Sequence, residues 1–232
     1  MKNRANPFLL VSMPFLLGSG PSWYDQREQM VVEQIIARGI KDTRVLAALR
    51  SVPRHEFLPE KLRHSSYENS PVPIGLEQTI SQPYIVAFMT EQLDLQAAHT
   101  LFELGTGSGY QAAVASKLVK EVYSVEIHPE LASRADSTLE ELGYDNVHVR
   151  AGDGWAGWPE AAPFDRIIIT AAADELPRTL LEQLRPGGKM IMPLGPENRT
   201  QYLVLVNKSA TGEISLKQLM HVRFVPVTGD HE

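Results

Sequence analysis

The segment Thr100-Leu101-Phe102-Glu103-Leu104-Gly105-Thr106-Gly107-Ser108-Gly109-Tyr110 constrains the fold of this chain more than any other. A short, mostly apolar run stops at three glycines spaced two apart, and a helix-like stretch, 110–119, begins directly after them. Glycine tolerates positive φ and lets a ligand approach the main chain. The first turn of the following helix offers free N–H groups to that ligand. The pattern continues downstream. Val122 to Ile127, Val147 to Ala151, Arg166 to Thr170 and Met190 to Leu194 read as strands, with helix-like stretches at 129–142 and 176–185. Strands alternating with helices predict βαβ units and a parallel sheet covered on both faces. Tyr202 to Asn207 and Phe224 to Val227 have little room for crossover helices, so they are expected as antiparallel additions at one side of the sheet. The expected architecture is a Rossmann-like, doubly wound α/β sheet of about seven strands.

Before residue 100 the signals are helical. Residues 24–38 carry Met30, Val31, Ile35 and Ile36 near helical spacing, with Gly39 as a stop. Asp42 suits the N-cap of a second helix bearing Val45, Leu46 and Leu49. Val52 to Gly75 is punctuated by proline and reads as loops and short turns. A further helix is expected from Pro83 through Met89 to Leu93. The 232 residues suit a single domain, 23–232, preceded by an extension, 1–22. In the extension, Lys2 and Arg4 precede an apolar run from Phe8 to Leu17, a weak likeness to a secretory signal. Pro14 interrupts the run, no Ala-x-Ala site follows, and the run is short of the ~20 residues of a membrane span. We therefore read an extension of a cytoplasmic protein, with export as the alternative.

The formal net charge of −6 gives no electrostatic attraction to nucleic acid or an anionic membrane. The densest basic cluster, Lys61, Arg63 and His64, reads as a solvated face. The chain has no cysteine, which excludes disulfides, thiolate metal sites and cysteine nucleophiles. Its histidines lack ligand spacing, so no metal is expected. Nothing argues for assembly, and a monomer is the default expectation.

Glycine spacing discriminates among ligands. Dinucleotide folds use Gly-x-Gly-x-x-Gly, whereas here glycines fall at 105, 107 and 109, and no P-loop lysine follows. Glu103 just before the turn suits a cationic methionine moiety better than a pyrophosphate. Glu126, at the end of the next strand, can accept from both ribose hydroxyls; the alternative is a surface acid. Asp153-Gly154 after the third strand can bond an adenine amino group, or can be a simple Asp-Gly turn. Together these favour S-adenosylmethionine.

Further motifs are Val52-Pro53-Arg54 with Phe57, Gln78-Thr79-Ile80-Ser81-Gln82-Pro83-Tyr84, Gly152-Asp153-Gly154-Trp155, Phe164-Asp165 with Thr170-Ala171-Ala172, and Val222-Arg223-Phe224-Val225-Pro226. With the glycine turn they resemble the protein-L-isoaspartate O-methyltransferase family, from about Tyr24 to Gly229. The resemblance implies the S-adenosylmethionine-dependent methyltransferase fold. It also implies methyl transfer to the α-carboxylate of L-isoaspartyl, and more weakly D-aspartyl, residues of damaged proteins. The ester then closes to a succinimide, the first step of repair. It designates Ser81 as the active residue; the residues alone also allow Ser81 to cap the helix from Pro83. Thr79 and Ile80 are expected to line the transfer pocket, and Val225 to run beside the substrate peptide or to sit in a core strand. Gln201 falls where some relatives place a cofactor contact. His55 and His148 read as structural or solvent-facing. Rival readings are a methyltransferase of the same fold acting on a small molecule or RNA, and a nonenzymatic adenosine-nucleoside binder. A nicotinamide dehydrogenase is disfavoured by the glycine spacing.

Overall fold

The computed structural model describes residues 20–196, 199–227 and 229. The signal-like run, Phe8 to Leu17, and most of the extension 1–22 lie outside the described residues. Helix α1 (Trp23–Gln29) starts in a capping box between Ser22 and Asp25. It runs on as a wider π turn, Met30–Ile35, and a tight 3-10 turn, Ile36–Arg38. Gly39 stops it at φ 98°, the left-handed conformation glycine supplies at a helix end. The Asp42 side chain accepts from the Arg44 N–H and caps α2 (Thr43–Ser51), whose Val45, Leu46, Ala48 and Leu49 are buried.

The proline-rich stretch holds more order than its composition predicts. After two 3-10 turns it forms an antiparallel hairpin, β1 (Val72–Gly75) and β2 (Gln78–Ile80). Its tip places Leu76 and Glu77 at positive φ, 50° and 59°. Hairpin turns of this kind favour Asn-Gly or Asp-Gly, so the usual sequence signal is missing. Helix α3 (Pro83–Gln92) follows, with proline in its first turn.

The main sheet contains β3 (Thr100–Leu104), β4 (Glu121–Glu126), β5 (Val147–Ala151), β6 (Phe164–Ile169), β7 (Leu184–Leu194), β8 (Gln201–Lys208) and β9 (Ile214–Val222), in the order β5-β4-β3-β6-β7-β8-β9. The pairs from β5 to β7 are parallel, while β8 and β9 are added antiparallel. Helices α4 (Tyr110–Ser116), α5 (Pro129–Glu141) and α6 (Arg178–Gln183) lie between them in sequence. Every residue of β6 is buried, as expected of a parallel strand covered on both faces. Neighbouring positions feed opposite faces. Leu101 and Ile168 join the core under α3, α4 and the N-terminal helices, while Phe102, Ile167 and Ile169 join the core on the other side.

The last strand is not where the apolar pattern put it. Phe224 to Val227 is no strand of the sheet; it is held there by a bridge between Ala172 and Pro226 and by the Gln201 side chain at the start of β8. The final strand is the more polar β9, largely exposed along its first half. An edge strand on the rim has no buried face to impose alternation, so hydrophobic periodicity missed it. Among the described residues, no helix is long and apolar enough to cross a membrane.

Candidate active site

The strand order reverses at β3, which lies between β4 and β6. The carboxyl ends of β3 and β6 therefore open at the switch point, where such sheets bind ligands. The chain leaves β3 through Gly105, Gly107 and Gly109, at φ 94°, 54° and 87°. Each glycine has its own reason. A Cβ on Gly105 would run into the Thr170 hydroxyl at the end of β6. One on Gly107 would lie 3.4 Å from the Ile74 methyl of β1, so the hairpin sits against the turn. One on Gly109 would press on Leu139 of α5 at 3.2 Å, a packing demand. The Gly105 N–H donates to the Val125 carbonyl at 2.8 Å, and the Thr170 hydroxyl lies 2.7 Å from the Gly105 carbonyl and 3.0 Å from that of Leu104.

A cavity of about 810 Å³ opens above the turn, large enough for a nucleoside ligand plus an acceptor side chain. Gly105, Thr106, Gly107, Ser108 and Glu126 form its floor; Thr79, Ile80 and Ser81 stand on one wall and Phe224, Val225 and Pro226 on another. One Glu126 oxygen accepts from the Gly107 N–H at 2.8 Å and the other from the His128 N–H at 3.0 Å. Glu126 is only 4% exposed, and no basic side chain pairs with it among the described residues. Glu126 lines the cavity, and an acceptor-only carboxylate suits a ribose diol, whose two hydroxyls can donate. The surface-acid alternative does not hold.

Four of the expected cofactor residues do not reach the cavity. Glu103 is 0% exposed on β3, beneath the turn. One of its oxygens accepts from the Ser124 hydroxyl at 2.5 Å, and that hydroxyl lies 2.6 Å from the Thr106 hydroxyl. Its other oxygen has no partner among the described residues. Burial pushes its pKa up to about 8, so Glu103 braces the turn from below and carries little charge at neutral pH. Gly109 faces α5. Gly154 lies under the sheet's end, where a Cβ would sit 2.5 Å from the Leu104 side chain. Asp153 caps a 3-10 turn through the Trp155 N–H at 2.9 Å and is overlain by Gly229, whose Cβ would lie 2.9 Å from the Asp153 carboxylate. An acid at a strand end was legible in the sequence; the tail above it was not.

The elevated pKa has a thermodynamic consequence. The folded state keeps a proton that the unfolded chain releases near 4.5, so Glu103 makes stability fall as pH rises from about 4.5 to about 8. Glu103→Gln, which stays neutral, is expected to flatten that decline. Urea midpoints of both proteins across this range test it; parallel profiles would refute the assignment.

Ser81 does not cap α3. The N-cap is Gln82, without a side-chain cap bond, and the Ser81 hydroxyl makes no hydrogen bond among the described residues. Its main chain is held instead. Arg54, 0% exposed, donates from Nη2 to the Ser81 carbonyl and from Nε to the Ser66 carbonyl, both at 2.7 Å. Its guanidinium carbon lies 4.7 Å from the centre of the Tyr110 ring. Burial lowers the Arg54 pKa to about 10, which leaves it a cation at neutral pH. The sequence shows Arg54 only as part of the Val52-Pro53-Arg54 motif, because its partners are 12 and 27 residues away. Gln201, which falls where some relatives place a cofactor contact, does not line the cavity among the described residues; both ends of its amide bond the main chain of Phe224. His55 is buried against Trp23 and Tyr67, and His148 pairs with Glu121 on the surface.

Comparison with known proteins agrees with this geometry. Residues 26–232 match the family described as Protein-L-isoaspartate(D-aspartate) O-methyltransferase (PCMT). A protein-L-isoaspartate O-methyltransferase of Opitutus terrae is 51% identical over 224 residues, covering 94% of this chain and 96% of the relative. One from Nitrosococcus oceani is 49% identical over 207 residues, covering 89% and 94%. A solved protein-L-isoaspartate O-methyltransferase superimposes with a TM-score of 0.78 at 31% identity, covering 88% of this chain and 66% of that one. A Plasmodium falciparum protein described by the same activity, solved in complex with S-adenosyl-L-homocysteine, gives 0.76 at 26% identity over 87% and 98%. A glycine turn at the switch point, an acid at the end of β4 and two such relatives at about half identity lead to one conclusion: the chain belongs to the protein-L-isoaspartate(D-aspartate) O-methyltransferase family.

Proposed function

We propose a division of labour among the cavity residues for the reaction of this family. The chain is an S-adenosylmethionine-dependent protein-L-isoaspartate O-methyltransferase. Its reaction esterifies the α-carboxyl of L-isoaspartyl, and more weakly D-aspartyl, residues and so opens the route to the succinimide. Bound S-adenosylmethionine supplies an electrophilic methyl group on a sulfonium. Gly105, Thr106, Gly107 and Ser108 present main chain to it, and Glu126 takes the ribose hydroxyls. Asp153 and Gly154 shape the end of β5 rather than the cavity wall.

The acceptor is a carboxylate with a reference pKa near ~4, already an anion at neutral pH. No strong base is required of the protein, and the work left is alignment, which is worth up to ~7–11 kcal/mol when complete. Ser81 donates its hydroxyl to one carboxylate oxygen and so directs the other at the methyl. Thr79 and Ile80 exclude water beside it, and the Phe224–Pro226 segment holds the peptide. The observation that carries this reading is the Ser81 hydroxyl: it lines the cavity, is freed from capping and has its main chain fixed by a buried arginine. Residues 23–232 act as one catalytic domain; the substrate is an isoaspartyl protein or peptide, with no nucleic acid and no stable membrane association. We read the protein as a cytoplasmic monomer.

The test pairs an isoaspartyl peptide with its aspartyl twin. Methyl transfer is expected to the first only; equal transfer, or S-adenosylmethionine binding without turnover on either, sinks the assignment. Ser81→Ala is expected to lower kcat on the isoaspartyl peptide by roughly 10- to 100-fold, with an unchanged thermal midpoint. An unchanged kcat would remove Ser81 from the mechanism.

A further inference from the structure

We infer that Gln201 is a positioning residue for peptide binding: its side chain extends the β8–β9 ladder by one rung and so folds the Phe224–Pro226 segment over the cavity. The inference rests on the reading of that segment as the peptide's support.

The geometry is specific. Gln201 is the first residue of β8 and pairs with Val222, the last residue of β9. Beyond Val222 the tail makes no main-chain bond to β8 among the described residues. The Gln201 side chain supplies one. Its Oε1 accepts from the Phe224 N–H at 2.7 Å, and its Nε2 donates to the Phe224 carbonyl at 3.3 Å. An amide presents one donor and one acceptor, as a main-chain peptide does, so this side chain copies a strand neighbour two residues past the strand's end. Gln201 is only 1% exposed, which keeps water from competing for either bond.

The tail is then caught on its other side. The Ala172 N–H donates to the Val225 carbonyl and the Val227 N–H donates to the Ala172 carbonyl, each at 2.8 Å. Ala172 follows β6, so the segment is strung between β8 and the end of β6, above the switch point. With Phe224 and Ala172 accounted for, the Val225 N–H and the Pro226 carbonyl lack protein partners among the described residues. Those are the groups an incoming peptide main chain can use. If Gln201 lets go, Phe224 is free to swing and the groups beside it are no longer held in place. Gly105 to Ser108 and Glu126, on the cavity floor, make no hydrogen bond to Gln201 among the described residues. The expected effect is therefore on peptide and not on cofactor.

Gln201→Met keeps the side chain's length and removes both bonds. Gln201→Glu keeps the acceptor for the Phe224 N–H and loses the donor. Gln201→Met is expected to raise KM for an isoaspartyl peptide about 10-fold, the scale of one hydrogen bond lost at a buried site, with kcat and the Kd for S-adenosylhomocysteine within about 2-fold of wild type. Gln201→Glu is expected to fall between the two. Amide exchange at Phe224, followed by NMR in the protein without peptide, is expected to quicken about 10-fold in Gln201→Met, while the Gly105 amide stays unchanged. A peptide KM within about 2-fold of wild type, or an S-adenosylhomocysteine Kd that rises in step with it, overturns the inference. So does unaltered Phe224 exchange, a readout that needs no activity. If Gln201→Met does not fold, Gln201→Glu carries both measurements. Inactivity of the wild type on the peptide would count against the family reaction; normal wild-type activity with an unaltered variant counts against Gln201 alone.

Discussion

Gly105→Ala is expected to weaken S-adenosylhomocysteine binding at least ~100-fold while leaving a folded sheet. Two penalties coincide at this position. At φ 94° an L residue carries the cost of the left-handed region, and the new methyl is aimed at the Thr170 hydroxyl. That hydroxyl cannot simply turn aside, because it holds the carbonyls of Leu104 and Gly105 and so joins β6 to the turn. Strain, a forced shift and a lost hydrogen bond together amount to on the order of 3–5 kcal/mol, and the displaced atoms are the floor of the cavity. Gly143→Ala is the control. Gly143 also has positive φ, 73°, but its Cβ would meet nothing within 4 Å and it lies after α5. It is expected to cost about 1 kcal/mol of stability and no affinity. Calorimetric titration of both variants decides the matter; wild-type affinity in Gly105→Ala would show that the turn does not shape the cofactor site.

Arg54→Met is expected to reduce kcat on the isoaspartyl peptide by roughly 100-fold with little change in cofactor affinity. The guanidinium ties together two segments, at Ser66 and Ser81, through carbonyl oxygens that accept from no other donor among the described residues. Bonds from a charged donor are worth about 1.5–3 kcal/mol each. Against them stands the cost of burying a cation with no carboxylate paired to it among the described residues, so the net loss of stability is moderate. The geometric loss is larger, since a displacement of about 1 Å at Ser81 is enough for a 100-fold effect on an alignment-limited reaction. Arg54→Lys keeps the charge but not the planar fork that reaches both carbonyls, and is expected to recover only part of the rate. A kcat within about 3-fold of wild type in a folded Arg54→Met protein, or a parallel collapse of S-adenosylhomocysteine affinity, would contradict the positioning role.

The contrast between Glu126 and Glu103 shows where a sequence stops being readable. Both are acids beside a glycine turn, and both were expected to meet the ligand. Their registers differ. Glu126 is the last residue of β4, where the side chain reaches the opening and its oxygens meet the Gly107 and His128 N–H groups. Glu103 is one residue short of the end of β3, flanked by β4 and β6, and has no route out. The β3–β4 register pairs Glu103 with Ser124, so Glu103 and Glu126 point to the same face, but Glu126 lies two residues nearer the carboxyl end; spacing in the chain does not report that offset. The hairpin at 72–80 was missed because its turn uses Leu76 and Glu77 where glycine or asparagine is the usual signal, and β9 because an edge strand needs no apolar stripe.

By itself, then, the sequence determined the alternation of strands and helices, the doubly wound sheet apart from its last strand, and the choice of S-adenosylmethionine over a dinucleotide. These are set by local patterns: periodicity, glycine spacing and an acid at a strand end are written within a few residues of one another. Only the tertiary structure decided that Arg54 grips Ser81, that Thr170 closes on Gly105, that Gln201 reaches Phe224 and that Gly229 covers Asp153. Each pairs residues 23 to 76 positions apart. Such contacts depend on where the packed sheet brings distant side chains together, and no local pattern encodes that.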